Sequence, residues 1–249
     1  MRFSIVMTYY NRRHQLLNTL DSIHHFGGDY EIWVVDDGSS ERIDDIPGIH
    51  LIRIEPEDKK WVNPCIPFNI GFAHAEGDCI IIQNPECLYT GDILKYASKI
   101  KKGQMLSFGA YSLDRDLQGE LLPEQLKKMI MNEPQKCQFN HSGWYNHSVH
   151  RPAGFHFCNA ILRGDLEAIG GFDERYANGI GFDDNDLVER INRNGMNISI
   201  IDDPFVIHQK HERTDYRIWR DKRAENYRLF NEVTLKETCV KPPNNIYYK

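Results

Sequence analysis

Asp183, Asp184 and Asp186 lie within the stretch Gly179-Ile180-Gly181-Phe182-Asp183-Asp184-Asn185-Asp186-Leu187. Leu187, Val188 and Ile191 follow at helical spacing, and Gly195 ends the run. The carboxylates therefore belong at a loop-to-helix junction, where free N–H groups and the helix dipole favour negative charge. One acid would suffice as an N-cap. Three on a glycine-hinged loop also suit a base or a ligand contact, and both readings stand. A second polar set is Asp36-Asp37-Gly38-Ser39, after the apolar run Glu31 to Val35. A third is Thr8-Tyr9-Tyr10-Asn11-Arg12-Arg13, after Phe3 to Thr8. Carboxylates at strand ends can accept from ribose hydroxyls or a base N–H, although Asp-Gly-Ser can equally be a plain turn.

The elements that must position these groups alternate. Strands are expected at Phe3–Thr8, Glu31–Val35, His50–Ile54 and Cys79–Ile82, with helices at Asn11–Phe26 and Pro64–Ala75. This order implies an α/β chain, a parallel sheet with helices on both faces, and ligands beyond the carboxyl ends of its strands. Further on, a strand is expected at Gln104–Ala110, a helix at Pro123–Met131, a strand at Ala153–Leu162 and a helix at Arg163–Ile169. Residues 132–152 show no periodicity and are rich in His, Asn and aromatics. Trp144 and Tyr145 there could stack on a sugar ring or simply pin their own loop. Phe205-Val206-Ile207 makes His208 a strand-end histidine. The basic stretch from Thr214 to Lys236 has a helical pattern. It could cover the cleft, touch a membrane surface or be a solvated helix, the last being the default. An arm or frayed end is expected from Pro242.

Composition narrows the function. A net charge of −6 argues against a general nucleic-acid binder. No apolar run spans a bilayer, and the opening Met1–Met7 reads as a strand, too short for a signal peptide. The 6 cysteines form no Cys-x-x-Cys pair or zinc-like cluster, so reduced thiols in a cytoplasmic protein are expected. Three Asn-x-Ser acceptor patterns would then stay unmodified. Neither Gly-x-Gly-x-x-Gly nor a Walker loop occurs, which excludes the common dinucleotide and P-loop sites.

Ser4-Ile5-Val6-Met7-Thr8-Tyr9-Tyr10-Asn11-Arg12 followed by Val34-Val35-Asp36-Asp37-Gly38-Ser39 resembles the opening of family 2 glycosyltransferases with the A-type fold. The resemblance implies a Rossmann-like nucleotide-binding sheet and a nucleoside-diphosphate-sugar donor. Thr8, Tyr10, Arg12, Asp36 and Asp37 become donor contacts, as does Asn69 in Asn69-Ile70-Gly71. Where that family places Asp-x-Asp to hold a divalent cation, this chain has Gln83-Asn84-Pro85-Glu86. Gln83 and Asn84 then offer only neutral oxygens toward the donor. Either Glu86 binds Mn2+ or Mg2+ with help from elsewhere, or the metal is dispensable. His208, within His208-Gln209-Lys210-His211, is the expected helper.

Gly170-Gly171-Phe172-Asp173-Glu174 running on to Asp186 resembles the carboxyl-terminal module of galactosyl- and N-acetylgalactosaminyl-transferases. By that resemblance Asp184 is the general base and Asp183 an acceptor contact, with Trp144 and Tyr145 on the acceptor side. Phe182 stands where that module often has Gly. The expectation is one domain over residues 1–249, with a nucleotide-sugar half at 1–100, an acceptor and catalytic half at 101–211, and a helix and tail at 212–249. The expected activity is inverting transfer of a hexose, UDP-galactose being the first candidate donor, to a glycan or glycoconjugate hydroxyl. A rhamnosyl-type deoxysugar donor is the alternative, and a non-catalytic carbohydrate-binding protein is the alternative of another class.

Overall fold

The computed structural model describes residues 1–117, 122–136, 141–212, 216–232 and 238–240. In chain order the elements are β1 (Phe3–Tyr9), α1 (Arg13–Phe26), β2 (Tyr30–Asp37), β3 (His50–Ile54), α2 (Cys65–His74), β4 (Cys79–Gln83), β5 (Cys87–Tyr89), α3 (Ile93–Ala97) and β6 (Gln104–Ser112). Then come α4 (Pro123–Ile130), β7 (Gly143–Asn146), β8 (Cys158–Leu162), α5 (Arg163–Ile169), a 3-10 turn (Glu174–Asn178), α6 (Asp183–Arg193), β9 (Asn197–His208) and α7 (Tyr216–Glu232). One 9-stranded sheet has the order β3-β2-β1-β4-β8-β6-β9-β5, with β7 on β6.

The expected parallel pairing holds through β3, β2, β1 and β4 and again between β6 and β9. β8 runs antiparallel to β4 and to β6, and β5 antiparallel to β9, so the whole sheet is mixed. Strand direction leaves no mark in a fully buried apolar run, since both faces are covered either way. Helices do cover both faces. Phe3, Ile5 and Met7 of β1 pack with Leu16, Leu20 and Ile23 of α1 on one side. Val6 and Val35 pack with Phe68 of α2 and with Leu187 and Ile191 of α6 on the other. The alternation along β1 is the period-2 signature of a strand clothed on two sides.

Three further expectations are corrected. The strand read as Ala153–Leu162 begins only at Cys158. The aperiodic stretch 132–152 contains β7, whose Trp144 belongs to a third apolar cluster with Tyr111, Leu126, Ile130 and Phe205. The basic helix is not a solvated one, because α7 packs its Leu229 and Phe230 against the α2–α6 side of the sheet. Residues 214, 215 and 233–236 of that expected helix, Cys137, and the arm from Pro242 lie outside the described residues. Among the described residues no helix is long and apolar enough to cross a membrane.

Candidate active site

Among the described residues, two groups of acids and imidazoles have ligand atoms within 4.8 Å of one another: Glu86, His208 and His211, and His156, Asp183 and Asp184. Sheet register builds the first. Cys87 pairs with His208 across β5 and β9, so the residue before Cys87 meets the end of β9. The Gln209 N–H donates to the Glu86 carbonyl at 2.9 Å. Its side chain bonds Thr19 Oγ1 and the Gln15 carbonyl, which ties residues 208–211 to α1. Glu86 Oε1 then lies 3.2 Å from His208 Nε2 and 3.7 Å from His211 Nε2, and Arg12 Nη1 is 3.0 Å from Oε2.

Burial alone would push the Glu86 carboxyl up. Arg12 first, then His208 and His211, outweigh it and hold the group well below the usual carboxylate range. Burial drives His211 down to about 4, so its imidazole is neutral near pH 7 with a lone pair to give. His208 Nδ1 is buried without a hydrogen-bond partner, and Glu86 Oε2 has only the Arg12 guanidinium beside it. A buried anion and two imidazoles fit a divalent cation, and the spacing matches neighbouring ligands in one sphere, about 3 Å apart for bonds of about 2.1 Å. Two nitrogens in the set favour Mn2+ over Mg2+, which prefers oxygen.

The second group sits at the start of α6. Gly181 and Phe182 both adopt left-handed backbone, with φ of 68° and 66°. Glycine does so freely, whereas a bulky residue there costs on the order of 1–3 kcal/mol. The turn swings Asp183 inward, where its Oδ1 accepts from Asn63 Nδ2 at 2.9 Å. Asp184 Oδ1 accepts from the His156 backbone N–H at 2.8 Å and is in close contact with His156 Nδ1. Burial would lower the His156 pKa, but the Asp184 charge and hydrogen bond raise it to about 9. The Asp183 carboxyl is pushed up, by burial first and by the neighbouring Asp184 charge. A protonated His156 has no lone pair for a metal, so the Glu86 group is the metal candidate.

This ion pair carries a pH signature. A histidine raised on folding stabilises fully below its unfolded pKa of about 6.5, and that contribution is lost as pH rises through the folded value. The melting-temperature gap between the wild type and His156→Gln is expected to be widest near pH 6 and to close above about 9. A gap that stays constant from pH 6 to 10 contradicts the ion pair.

The remaining candidates divide. Asp36 is fully buried, paired with Arg53 and accepting from the Ser39 N–H at 3.0 Å. Asp37 accepts from Trp61 Nε1 at 2.8 Å and from Lys59 Nζ at 2.7 Å. Lys59 also lies 4.2 Å over the ring of Tyr10, which is exposed, and Thr8 is half-buried at the end of β1. Trp61 and Asn63 share one loop, which runs from Asp37 to Asp183. Asn69 is held away from these groups: its amide bonds both the N–H and the carbonyl of Phe172 at 2.8 Å. The Gln83 amide closes its own turn onto the Cys87 carbonyl, and the half-buried Asn84 spends its backbone N–H on Phe157. Trp144 is 5% exposed and donates to Gln135, so no ring face is left for a sugar. Tyr145 instead packs on Phe157 and on His208, at 5.4 and 5.3 Å between ring centres. Asp186 is spent on the fully buried Arg190, which also donates to the Ile169 and Gly171 carbonyls. Burial, against the pull of Arg190, raises Asp186 to about 6.

Sequence reasoning missed His156 as a site residue and read Asn63, within Lys60-Trp61-Val62-Asn63-Pro64-Cys65, as part of a wall beside the donor rather than as the partner of Asp183. His156 has no motif signal, since it sits in a run read as strand. His211 was legible as the second histidine of His208-Gln209-Lys210-His211. His156 and its neighbour Phe157 bridge the two groups. His156 holds Asp184 and feels the Glu86 charge, while Phe157 stands 5.9 Å from His208.

Residues 4–139 match the family described as Glycosyl transferase family 2, and residues 137–212 match the one described as N-terminal domain of galactosyltransferase. Among solved structures, the chain is similar to the mannosyltransferase PcManGT from Pyrobaculum calidifontis in complex with GDP-Man and Mn2+. The identity is 19% and the TM-score 0.58, with 97% of this chain and 66% of that one covered. It is also similar to S. aureus TarS 1-349 in complex with UDP-GlcNAc, at 17% identity and a TM-score of 0.59, over 86% of this chain and 60% of that one. Both likenesses speak to an A-type fold. No curated protein matches significantly.

Proposed function

The chain belongs to glycosyl transferase family 2 and is a glycosyltransferase, and from that premise we propose an inverting hexosyl transfer from a nucleoside-diphosphate sugar to a glycan hydroxyl. UDP-galactose is our first candidate donor, supported by the galactosyltransferase match over 137–212. The observation that carries the reading is the bridge at His156-Phe157, which sets a carboxylate pair beside a metal-type group.

Asp184 takes the proton of the acceptor hydroxyl as that oxygen attacks the anomeric carbon from the face opposite the leaving diphosphate. Asp183, fixed by Asn63, orients the acceptor. Tyr10, Lys59 and Trp61 wall the nucleotide beside Asp37, and Arg12 contributes positive charge next to Glu86. Glu86, His208 and His211 would hold a Mn2+, which when bound neutralises charge on the leaving diphosphate. Within the Asp183–Asp186 motif, Asp186 is committed to Arg190 and Asp183 is held by Asn63, which supports direct displacement over a covalent route. A cytoplasmic setting is supported by the 5 free cysteines among the described residues, Cys65, Cys79, Cys87, Cys158 and Cys239.

The test is calorimetric titration with UDP, GDP, dTDP and CDP, each with and without Mn2+. We expect selective, Mn2+-dependent binding of UDP. Selective binding of dTDP would move the donor to the deoxysugar class. Absence of binding to all four overturns the donor site in favour of a carbohydrate-binding protein.

A further inference from the structure

Helix α7 reaches back over the loop that carries the two catalytic carboxylates. Asn226, 3% exposed, donates from Nδ2 to the Gly181 carbonyl at 2.7 Å and to the Tyr176 carbonyl at 3.1 Å. Its Oδ1 lies 2.1 Å from where a Cβ on Gly179 would stand, so only glycine lets this side chain in. The Ile180 N–H donates to the Lys222 carbonyl at 3.2 Å. Phe182 packs between Tyr227 and Phe230, at 5.4 and 5.6 Å between ring centres, with the Arg223 guanidinium 4.4 Å from its ring. Residues 222, 223, 226, 227 and 230 recur at helical spacing, so a single face of α7 makes all these contacts.

The loop needs such support. Phe182 holds a left-handed φ of 66° as the residue that caps α6, yet its side chain makes no capping hydrogen bond. A phenylalanine released from its ring partners returns to negative φ. Asp183 and Asp184 follow it directly in the chain, and each has one specific partner, Asn63 and His156, that a small rotation would break.

We propose that α7 is a positioning clamp: Asn226 anchors the Gly179–Gly181 turn and the Tyr227–Phe230 face grips Phe182, so that the helix holds the base and acceptor carboxylates in register. The proposal rests on the reading of Asp184 as the base. It makes Asn226 a positioning residue that acts on transfer through Phe182.

The experiment uses the full chain and needs no substrate. The ring of His156 is titrated by NMR, with its signal assigned by the loss of one resonance in His156→Gln. In the wild type it should titrate near 9. In Asn226→Ala it should fall toward the ordinary histidine value of about 6.5, because Asp184 swings away. Adding Phe182→Gly to Asn226→Ala should restore the high value, since glycine keeps a left-handed φ without a clamp. A merely structural Asn226 would lower thermal stability without moving this titration and without rescue by glycine. If Asn226→Ala does not fold, Asn226→Leu fills a similar volume without the two donors and gives the same reading. A folded Asn226 variant that still titrates near 9 overturns the clamp, and so does a lowered value that Phe182→Gly fails to restore. Turnover of UDP-galactose by Asp184→Asn reports separately on the base, so failure of one reading is distinguishable from failure of the other.

Discussion

Asp184→Asn is expected to lower turnover roughly 10²–10⁴-fold while leaving nucleotide affinity unchanged. The amide matches the carboxylate in shape and can still accept from the His156 backbone N–H, so the start of α6 stays in place. What it cannot do is take a proton from the acceptor. The loss should therefore fall on kcat, with the donor KM close to that of the wild type. Asp183→Asn should behave differently. Asp183 is buried and bound to Asn63, and its proposed role is to orient, so its replacement should raise the acceptor KM along with a smaller loss in kcat. The measurement is initial-rate kinetics with the nucleotide sugar selected by calorimetry. Full turnover by Asp184→Asn removes it as the base.

Glu86→Gln should abolish cation binding. The substitution keeps the side-chain volume but removes the only anion facing His208 and His211 within the group, and it leaves Arg12 beside an amide and two imidazoles. Two imidazoles and an amide next to a guanidinium make a poor site for a divalent cation. We expect Mn2+ affinity, read from the free-ion EPR signal in the absence of nucleotide, to fall by roughly 10²-fold or more. His211→Ala should shift affinity in the same direction, because it withdraws one neutral nitrogen. The Mn2+-dependent part of UDP binding should vanish with the cation site. Unchanged Mn2+ binding in both variants would refute the assignment and leave the leaving-group charge to Arg12 and Lys59. The chain would then work with Gln83-Asn84-Pro85-Glu86 as a metal-free counterpart of the Asp-x-Asp stretch.

The four strands β1 to β4 were legible because short apolar runs such as Ser4–Met7 and Cys79–Ile82, bounded by turn residues, read as buried strands. β5 was not, since 3 residues are too few to show a period. Without β5 the meeting of Glu86 and His208 could be reached only through family resemblance, because their approach is a product of register. Asp186 looked like one of three equivalent acids. Its commitment to Arg190 is an i,i+4 pair that the sequence displays, but burial of the arginine decides its role. Trp144 shows the converse. An aromatic in an aperiodic stretch suggested a ligand platform, yet the third apolar cluster claims it. Asn69 likewise carries a family motif and spends its amide on the Phe172 backbone, joining α2 to the loop before α6.

The strand order bears on how such a chain can be cut and recombined. The two family matches divide near residues 137–139, which suggests a seam between two interchangeable pieces. The sheet does not respect that border. β6, from the first match, lies between β8 and β9 of the second, and β5 crosses to the far edge to pair with β9. A fragment ending at the border would carry two strands with no neighbour of their own, and its complement would lack the strand that joins its pieces. The two segments are therefore threads of one weave, and a chimera that swaps one for a homologue's must match pairing registers at β4–β8, β6–β7, β6–β8, β6–β9 and β5–β9 together.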